Sequence, residues 1–309
     1  MMIQKELYIP STNGKNQLHI LMWIPDGAPR AILQLSHGMV EHIRRYEEFA
    51  TYLANRGILV IGNDHLGHGL SVNNLDELGY FNAPDSSKTV VDDLHQVTLY
   101  VKKHYPNIPC FLLGHSMGSF MARRYLMTYG SDLKGAIIMG TGQFPNLLVS
   151  IGLYILKFLK KWKGDHYRSQ LINQLSFGSY NNQFKPTRTT HDWLSKNTES
   201  IDAYLADPYC TFLFTLNGYE TLLRTFHFIG DKSNIIKIPK DLPLLFVAGK
   251  DDPVGGKGKV VMQIYNLYTS LGLRTTKLKL YEADRHEILN ELDYATVFKD
   301  IYNWLETYI

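Results

Sequence analysis

A serine between two glycines, at the junction of a strand pattern and a helix pattern, is the strongest chemical signal in this 309-residue sequence. Residues 114–118 read Gly-His-Ser-Met-Gly, which matches Gly-x-Ser-x-Gly. The motif follows the apolar run 110–113 and opens a helical pattern at Met117. A serine on such a sharp turn projects its hydroxyl above a sheet, where the start of the next helix favours negative charge. The motif therefore predicts Ser116 as a nucleophile.

A serine hydroxyl needs a general base at neutral pH, and that base is usually a histidine. In folds with this serine motif the chain order is serine, acid, histidine. Four of the twelve histidines follow Ser116, namely His166, His191, His227 and His286. The first three lie in a segment without clear strand patterns, whereas His286 follows the strand-like run 276–281. We therefore predict His286 as the base.

The acid that orients this histidine is expected in a loop after a strand, between Ser116 and His286. The apolar run 244–247 is followed closely by two adjacent carboxylates, Asp251 and Asp252. We favour Asp252, because it lies further from the strand and precedes a proline that stiffens the turn. Asp251 is the alternative.

Acyl transfer also needs backbone N–H donors for a tetrahedral oxyanion. One is commonly the residue after the nucleophile, and the other comes from a loop after an earlier strand. Met117 supplies the first. The second is predicted at Met39, because Ser-His-Gly-Met at 36–39 directly follows the apolar run 31–35.

The elements that position these residues follow from apolar periodicity. Continuous apolar runs predict strands buried on both faces, at 31–35, 59–62, 111–113, 136–139 and 244–247. Helical patterns alternate with them, at 45–55, 87–104, 117–129, 256–271 and 293–308. Two earlier segments, 7–9 and 18–24, predict an antiparallel edge. The expected fold is α/β, a mostly parallel central sheet with helices on both faces.

The alternation lapses at 142–230, where helical segments rich in aromatic residues follow one another. We interpret 142–230 as an inserted helical cap, and 1–141 with 231–309 as the catalytic core. Within this cap, 147–162 carries an apolar stripe at helical spacing, and lysines cluster toward its end. Such a helix lies either on an anionic membrane surface or over the pocket as a lid. Contact with a membrane through 147–163 is therefore one of two open interpretations.

Composition excludes several other classes. With 45% apolar and 20% charged residues, the chain is expected to be globular. A balance of 32 basic against 29 acidic residues argues against nucleic acid as a partner. Cys110 and Cys210 match neither a disulfide framework nor a zinc motif. The N-terminus lacks a signal-peptide pattern, which points to the cytoplasm, and no uncharged run is long enough to span a bilayer.

We expect no metal and no cofactor. His65 and His68 have metal-like spacing beside Asp64, but they lie in a glycine-broken loop that does not fix ring orientation, so loop-shaping hydrogen bonds are the better interpretation. The glycine-rich segment 255–259 lacks the Ser or Thr of a phosphate loop.

Four segments together resemble the monoacylglycerol lipase and lysophospholipase branch of the α/β-hydrolase superfamily. They are His-Gly-Met-Val-Glu-His at 37–42 with Arg45-Tyr46, Asp-His-Leu-Gly-His-Gly-Leu-Ser at 64–71, Gly-His-Ser-Met-Gly-Ser at 114–119, and Arg-His-Glu at 285–287. The resemblance implies Ser116 as nucleophile, Asp252 as acid and His286 as base, with Met39 and Met117 as oxyanion donors. The family's Gly-x-x-Asp spacing, here Gly249 to Asp252, also supports Asp252 over Asp251.

The leading hypothesis is thus a serine esterase acting on single-chain lipids through an acyl-enzyme. The alternatives are an aminopeptidase of the same fold and a non-catalytic lipid-binding relative. An aminopeptidase would need cap carboxylates for the amine of its substrate, and four are available: Glu199, Asp202, Asp207 and Glu220.

Overall fold

The computed structural model describes residues 1–309 and contains one eight-stranded sheet in the order β1-β2-β4-β3-β5-β6-β7-β8. Its strands are β1 (Ile3–Pro10), β2 (Gln17–Ile24), β3 (Ala31–Ser36), β4 (Ile58–Asn63), β5 (Cys110–His115), β6 (Gly135–Met139), β7 (Leu244–Gly249) and β8 (Thr276–Tyr281). β2 pairs antiparallel with β1 and β4, and all other pairs are parallel. The predicted antiparallel edge is confirmed.

Helices cover both faces of the sheet. They are α1 (Glu47–Ala54), α2 (Ser86–His104), α3 (Met117–Tyr129), α4 (Asn146–Lys163), α5 (Gln170–Phe177), α6 (Thr198–Ala206), α7 (Leu216–Ile229), α8 (Lys232–Ile235), α9 (Lys259–Ser270) and α10 (Tyr294–Glu306). One apolar core lies between the sheet and α2, α3, α7 and α9. A second lies between the opposite face and α1 and α10. The α/β fold predicted from the apolar runs is confirmed, because β3 to β7 are buried along their whole length.

The segment between β6 and β7, residues 140–243, contains helices α4 to α8 and is called the helical insertion below. Its parts differ in their packing. α7 packs against α2 and α3, and its Phe226 contributes to the first apolar core. α4 packs against α7 through Val149 and Leu156. The division of the chain into a core and a cap at 142–230 stays a prediction, but α7 shares its packing with the core helices.

The predicted stripe on α4 faces away from the protein. Apart from Leu159, which is half-buried, its apolar side chains are 48–76% exposed, and they are Leu147, Leu148, Ile151, Tyr154, Ile155, Phe158 and Trp162. Leu171 and Leu175 of α5 are also exposed. We call these nine residues the exposed apolar face. None of the helices combines the length and the apolar character that crossing a membrane requires.

Candidate active site

Ser116 lies on a sharp turn between β5 and α3. Its φ and ψ are 52° and −121°, a left-handed conformation that is uncommon for a residue with a side chain. The turn is held by a 3.0 Å hydrogen bond from the Ser116 N–H to the carbonyl of Met139 on the neighbouring strand. Gly118 is needed here because a Cβ at this position would overlap the carbonyl oxygen of Ser36. The start of α3 can therefore approach the loop that follows β3.

His286 and Asp252, which are 34 residues apart in sequence, meet at the same edge of the sheet. His286 Nδ1 lies 3.0 Å from Asp252 Oδ1, and both side chains are buried. Asp252 Oδ1 also accepts a 2.8 Å hydrogen bond from the Val254 N–H. The other ring nitrogen of His286, Nε2, is buried and has no hydrogen-bond partner within the protein. The ring is thus oriented at one nitrogen and free to exchange a proton at the other.

The loop at 37–41 passes beside Ser116. A Cβ built on Gly38 would lie 3.2 Å from the Ser116 Cβ, so the Gly38–Met39 peptide starts next to the serine. Val40 adopts a left-handed conformation with φ 57°. Met117, the other predicted oxyanion donor, is buried at the start of α3, whose N-terminal N–H groups favour negative charge.

A buried ion cluster joins this loop to the residue after His286. Arg45 contacts both carboxylate oxygens of Glu287 at 2.7 and 2.8 Å and one oxygen of Glu41 at 2.7 Å. Burial opposes ionisation of Glu41, but the hydrogen bond with His115 and the charge of Arg45 prevail and hold the pKa of Glu41 well below its usual value. Burial likewise opposes ionisation of Glu287, and Arg45 lowers its pKa. The cluster therefore remains charged, and it links two loops of the site.

His115, directly before the serine, belongs to the same cluster. Its Nδ1 lies 3.1 Å from the Tyr46 hydroxyl and 3.3 Å from Glu41 Oε1, and its Nε2 lies 3.3 Å from the carbonyl of His286. Burial disfavours the charged ring, but the hydrogen bond and the charge of Glu41 raise the pKa of His115. The sequence motifs contain these residues, but their spacing along the chain does not indicate that they form one cluster.

Three further histidines shape the loops beside the site. The ring centroids of His37 and His65 are 4.2 Å apart, and those of His37 and His68 are 5.3 Å apart. Burial lowers the pKa of all three, that of His68 to about 3. His68 packs against three phenylalanine rings, and His65 lies 3.1 Å from the Ser36 hydroxyl. These are hydrogen bonds and packing contacts of the loop-shaping kind.

The segment 193–207 connects the helical insertion to both loops of the site. The Tyr204 hydroxyl donates a 3.0 Å hydrogen bond to the Val40 carbonyl, and His42 Nε2 lies 2.7 Å from Asp207 Oδ2. The carbonyl of Leu194 accepts a 2.7 Å hydrogen bond from the Glu287 N–H. Trp193 packs on the His286 ring with centroids 5.1 Å apart. This part of the insertion is fixed to the site.

Comparison with known proteins identifies the family. Residues 27–293 match the model of the family Hydrolase_4, described as "Serine aminopeptidase, S33". The chain belongs to this serine aminopeptidase family. A monoglyceride lipase homolog from monkeypox virus is 40% identical over 299 residues, which cover 92% of each chain. Monoglyceride lipase from Rattus norvegicus is 29% identical over 300 residues, or 92% of this chain and 84% of that protein.

The fold of the chain is also similar to that of a solved esterase. The crystal structure of a highly thermostable carboxyl esterase from Bacillus coagulans, in complex with glycerol, has a TM-score of 0.92 and 30% identity, and the match covers 100% of this chain and 99% of that one. The predicted resemblance to the monoacylglycerol lipase branch of the α/β-hydrolases is confirmed. This member of the serine aminopeptidase family is an ester-hydrolysing serine hydrolase.

Proposed function

We propose that the chain hydrolyses single-chain lipid esters, monoacylglycerols or lysophospholipids, with Ser116, His286 and Asp252 as its catalytic triad. The observation that carries this proposal is the buried 3.0 Å contact between His286 Nδ1 and Asp252, which leaves His286 Nε2 without a hydrogen-bond partner. The two residues lie at the edge of the sheet that also holds the sharp turn of Ser116. A neutral ring with its proton on Nδ1 would donate to Asp252 and present Nε2 as a base. The site requires no cofactor and no metal for this chemistry.

In the proposed reaction, the Ser116 Oγ attacks the ester carbonyl carbon and its proton passes to His286 Nε2. The negative charge on the former carbonyl oxygen is held by the N–H groups of Met117 and Met39. The C–O bond to the alcohol then breaks, and the alcohol leaves with the proton from His286. A water molecule, activated by the same nitrogen, attacks the acyl-enzyme, releases the fatty acid and restores Ser116.

The lipid character of the substrate is supported by the insertion and by the relatives. The exposed apolar face presents hydrocarbon on α4 and α5, in the insertion whose segment 193–207 contacts both loops of the site. Proteins named monoglyceride lipase match most of this chain. Exposed hydrocarbon on this insertion and the names of these relatives both favour a substrate with an acyl chain over a polar substrate.

The family description favours an aminopeptidase as the second candidate. The insertion offers little to hold a substrate amine, because three of its four candidate carboxylates are engaged with cationic or imidazole groups. Asp202 pairs with Arg188, Asp207 with His42, and Glu220 with Lys160 and Arg224. The fourth, Glu199, is exposed on the first turn of α6. These contacts support the ester substrate.

Labelling by a fluorophosphonate probe tests the proposed function. Wild-type protein is expected to form a covalent adduct, and Ser116→Ala is expected to form none, because the probe reacts with an activated serine. Monoacylglycerols of increasing chain length should be cleaved beyond acetyl and butyryl esters, whereas aminoacyl amides should not. No labelling of folded wild-type protein would contradict the hydrolase proposal, and faster cleavage of the amides would favour the aminopeptidase.

We also propose that α4 rests on anionic membranes while the enzyme works, as a peripheral protein of the cytoplasm. On a helical projection the exposed apolar residues of α4 lie on one side of the helix. Val149 and Leu156 lie on the other side, which packs on α7. Lys157, Lys161 and Lys163 are exposed, and α4 contains no acidic residue. An apolar face bordered by unopposed lysines matches a bilayer with anionic headgroups.

Binding to vesicles tests this membrane contact. Replacing both Phe158 and Trp162 by serine is expected to weaken sedimentation with phosphatidylglycerol vesicles at least tenfold, since each side chain buried in lipid contributes on the order of 1 kcal/mol or more. Turnover of a soluble short-chain ester should not change. Leu99→Ser, which removes an exposed leucine from α2, is the matched control. Equal vesicle binding by both variants would contradict the proposal. So would wild-type protein that does not bind the vesicles and instead forms a dimer through this face.

A further inference from the structure

His37 is buried beside the loop that carries Met39, and each of its ring nitrogens has one partner. Nε2 faces the N–H of His65 at 3.0 Å, and Nδ1 faces the carbonyl oxygen of Gly38 at 2.8 Å. A backbone N–H can only donate, so Nε2 must be the unprotonated acceptor. The proton of the neutral ring therefore lies on Nδ1 and is donated to Gly38. Burial lowers the pKa of His37, which is consistent with a neutral ring.

This hydrogen bond fixes the peptide that joins Gly38 to Met39. In a trans peptide the C=O and the N–H point in opposite directions. When the Gly38 oxygen points toward the His37 ring, the Met39 N–H must point away from it. Gly38 has no side chain to restrict rotation, so this peptide could otherwise turn over and present its oxygen instead of its N–H.

The other hydrogen bonds of the loop act on neighbouring peptides. The Gly38 N–H, which belongs to the preceding peptide, donates to Glu41. The Val40 carbonyl, which belongs to the peptide after Val40, accepts from Tyr204. The contact with His37 is thus directed at the peptide that contains the Met39 N–H. His65 supports it from the loop after β4, the strand that pairs with β3.

We propose that His37 is a positioning residue that aims the Met39 N–H at the oxyanion through its Nδ1 proton. This inference rests on the proposed function, because it assumes that Met39 is an oxyanion donor. His37 itself touches neither the substrate nor the reacting atoms. Its role is to choose which of the two polar groups of one peptide faces Ser116.

Two substitutions test the roles of the two ring nitrogens of His37 separately. Asparagine places an amide donor near the position of Nδ1, and glutamine can place an oxygen near Nε2 but has no donor for Gly38. His37→Gln is expected to lower kcat for p-nitrophenyl butyrate about 10²-fold with little change in KM, because an oxyanion donor acts on the transition state. His37→Asn should retain kcat within about tenfold of the wild type. Rates should be expressed per site titrated with fluorophosphonate, so that misfolded protein does not count.

A merely structural role would lower the titrated fraction in both variants and leave kcat per titrated site unchanged, which would overturn the inference. Equal losses of kcat in the two variants would also overturn it.

The tautomer of His37 supplies a readout that does not depend on activity. Long-range ¹H–¹⁵N correlation on histidine-labelled protein, assigned with His37→Asn, should show a neutral ring protonated at Nδ1. A proton on Nε2 would overturn the inference. Absence of ester hydrolysis by the wild type would contradict the proposed function, and the tautomer of His37 would still be measured.

Discussion

Replacement of His286 by alanine is expected to lower kcat for a short-chain ester by about 10³-fold or more, with KM nearly unchanged. Without the ring, Ser116 has no acceptor for its proton, and the leaving alcohol has no donor. KM should stay near its wild-type value because the imidazole acts in the transition state and contributes little to holding the acyl chain. Steady-state rates on p-nitrophenyl butyrate provide the measurement.

His227→Ala is the matched control for this experiment. His227 is an exposed histidine at the last turn of α7, and it makes no side-chain hydrogen bond. We expect it to keep wild-type kcat. Because removal of His286 leaves Asp252 buried with only the Val254 N–H as partner, the fold of His286→Ala should be checked by circular dichroism and thermal melting. A folded His286→Ala enzyme with kcat within tenfold of the wild type would show that another group is the base.

Asp252→Asn is expected to lower kcat by about 10³- to 10⁴-fold while the structure stays intact. The amide has nearly the same shape as the carboxylate, but its NH₂ group can donate to His286 Nδ1. That hydrogen bond favours the tautomer with the proton on Nε2, the nitrogen that must accept the proton of Ser116. The measurement is kcat per fluorophosphonate-titrated site, or per folded protein where labelling is too slow.

Asp251→Asn is the internal control, since the two aspartates are neighbours and undergo the same chemical change. Asp252 is fully buried beside His286, whereas the Asp251 side chain is half-buried and no hydrogen bond or ion pair engages its carboxylate. We expect Asp251→Asn to change kcat less than about threefold, as a surface substitution away from the reacting atoms would. A larger loss of kcat in Asp251→Asn than in Asp252→Asn would show that Asp251 is the acid.

The centre of the sheet could be predicted because strands β3 to β7 are buried on both faces. Such strands are continuous apolar runs bounded by polar or glycine residues, and the run 244–247 lies inside β7, which ends at Gly249. The apolar run does not predict the end of β7 at Gly249, because this end is set by the pairing of Gly249 with Tyr281. The loop that carries Ser116 can be predicted because its motif is local.

The packing of the insertion could not be predicted in the same way. A stripe at helical spacing shows that a helix has an apolar side but does not show what covers it, and α4 packs through Val149 and Leu156 instead of its stripe. The ion cluster of Glu41, Arg45 and Glu287 joins segments more than 200 residues apart, so no spacing reveals it. The tautomer of His37 depends on a backbone N–H from a different loop.

Only part of the helical insertion is hydrogen-bonded to the loops of the site, and this affects how proteins with this fold can change in evolution. The chain leaves the sheet at β6 and returns at the adjacent β7, so the insertion can lengthen or shorten without disturbing strand pairing. Changes at Leu194 or Tyr204 act directly on the loops around Ser116, whereas α4 and α5 contact neither loop by a hydrogen bond. New substrate ranges should therefore arise first by exchange of α4 and α5, in natural relatives and in engineered chimeras alike.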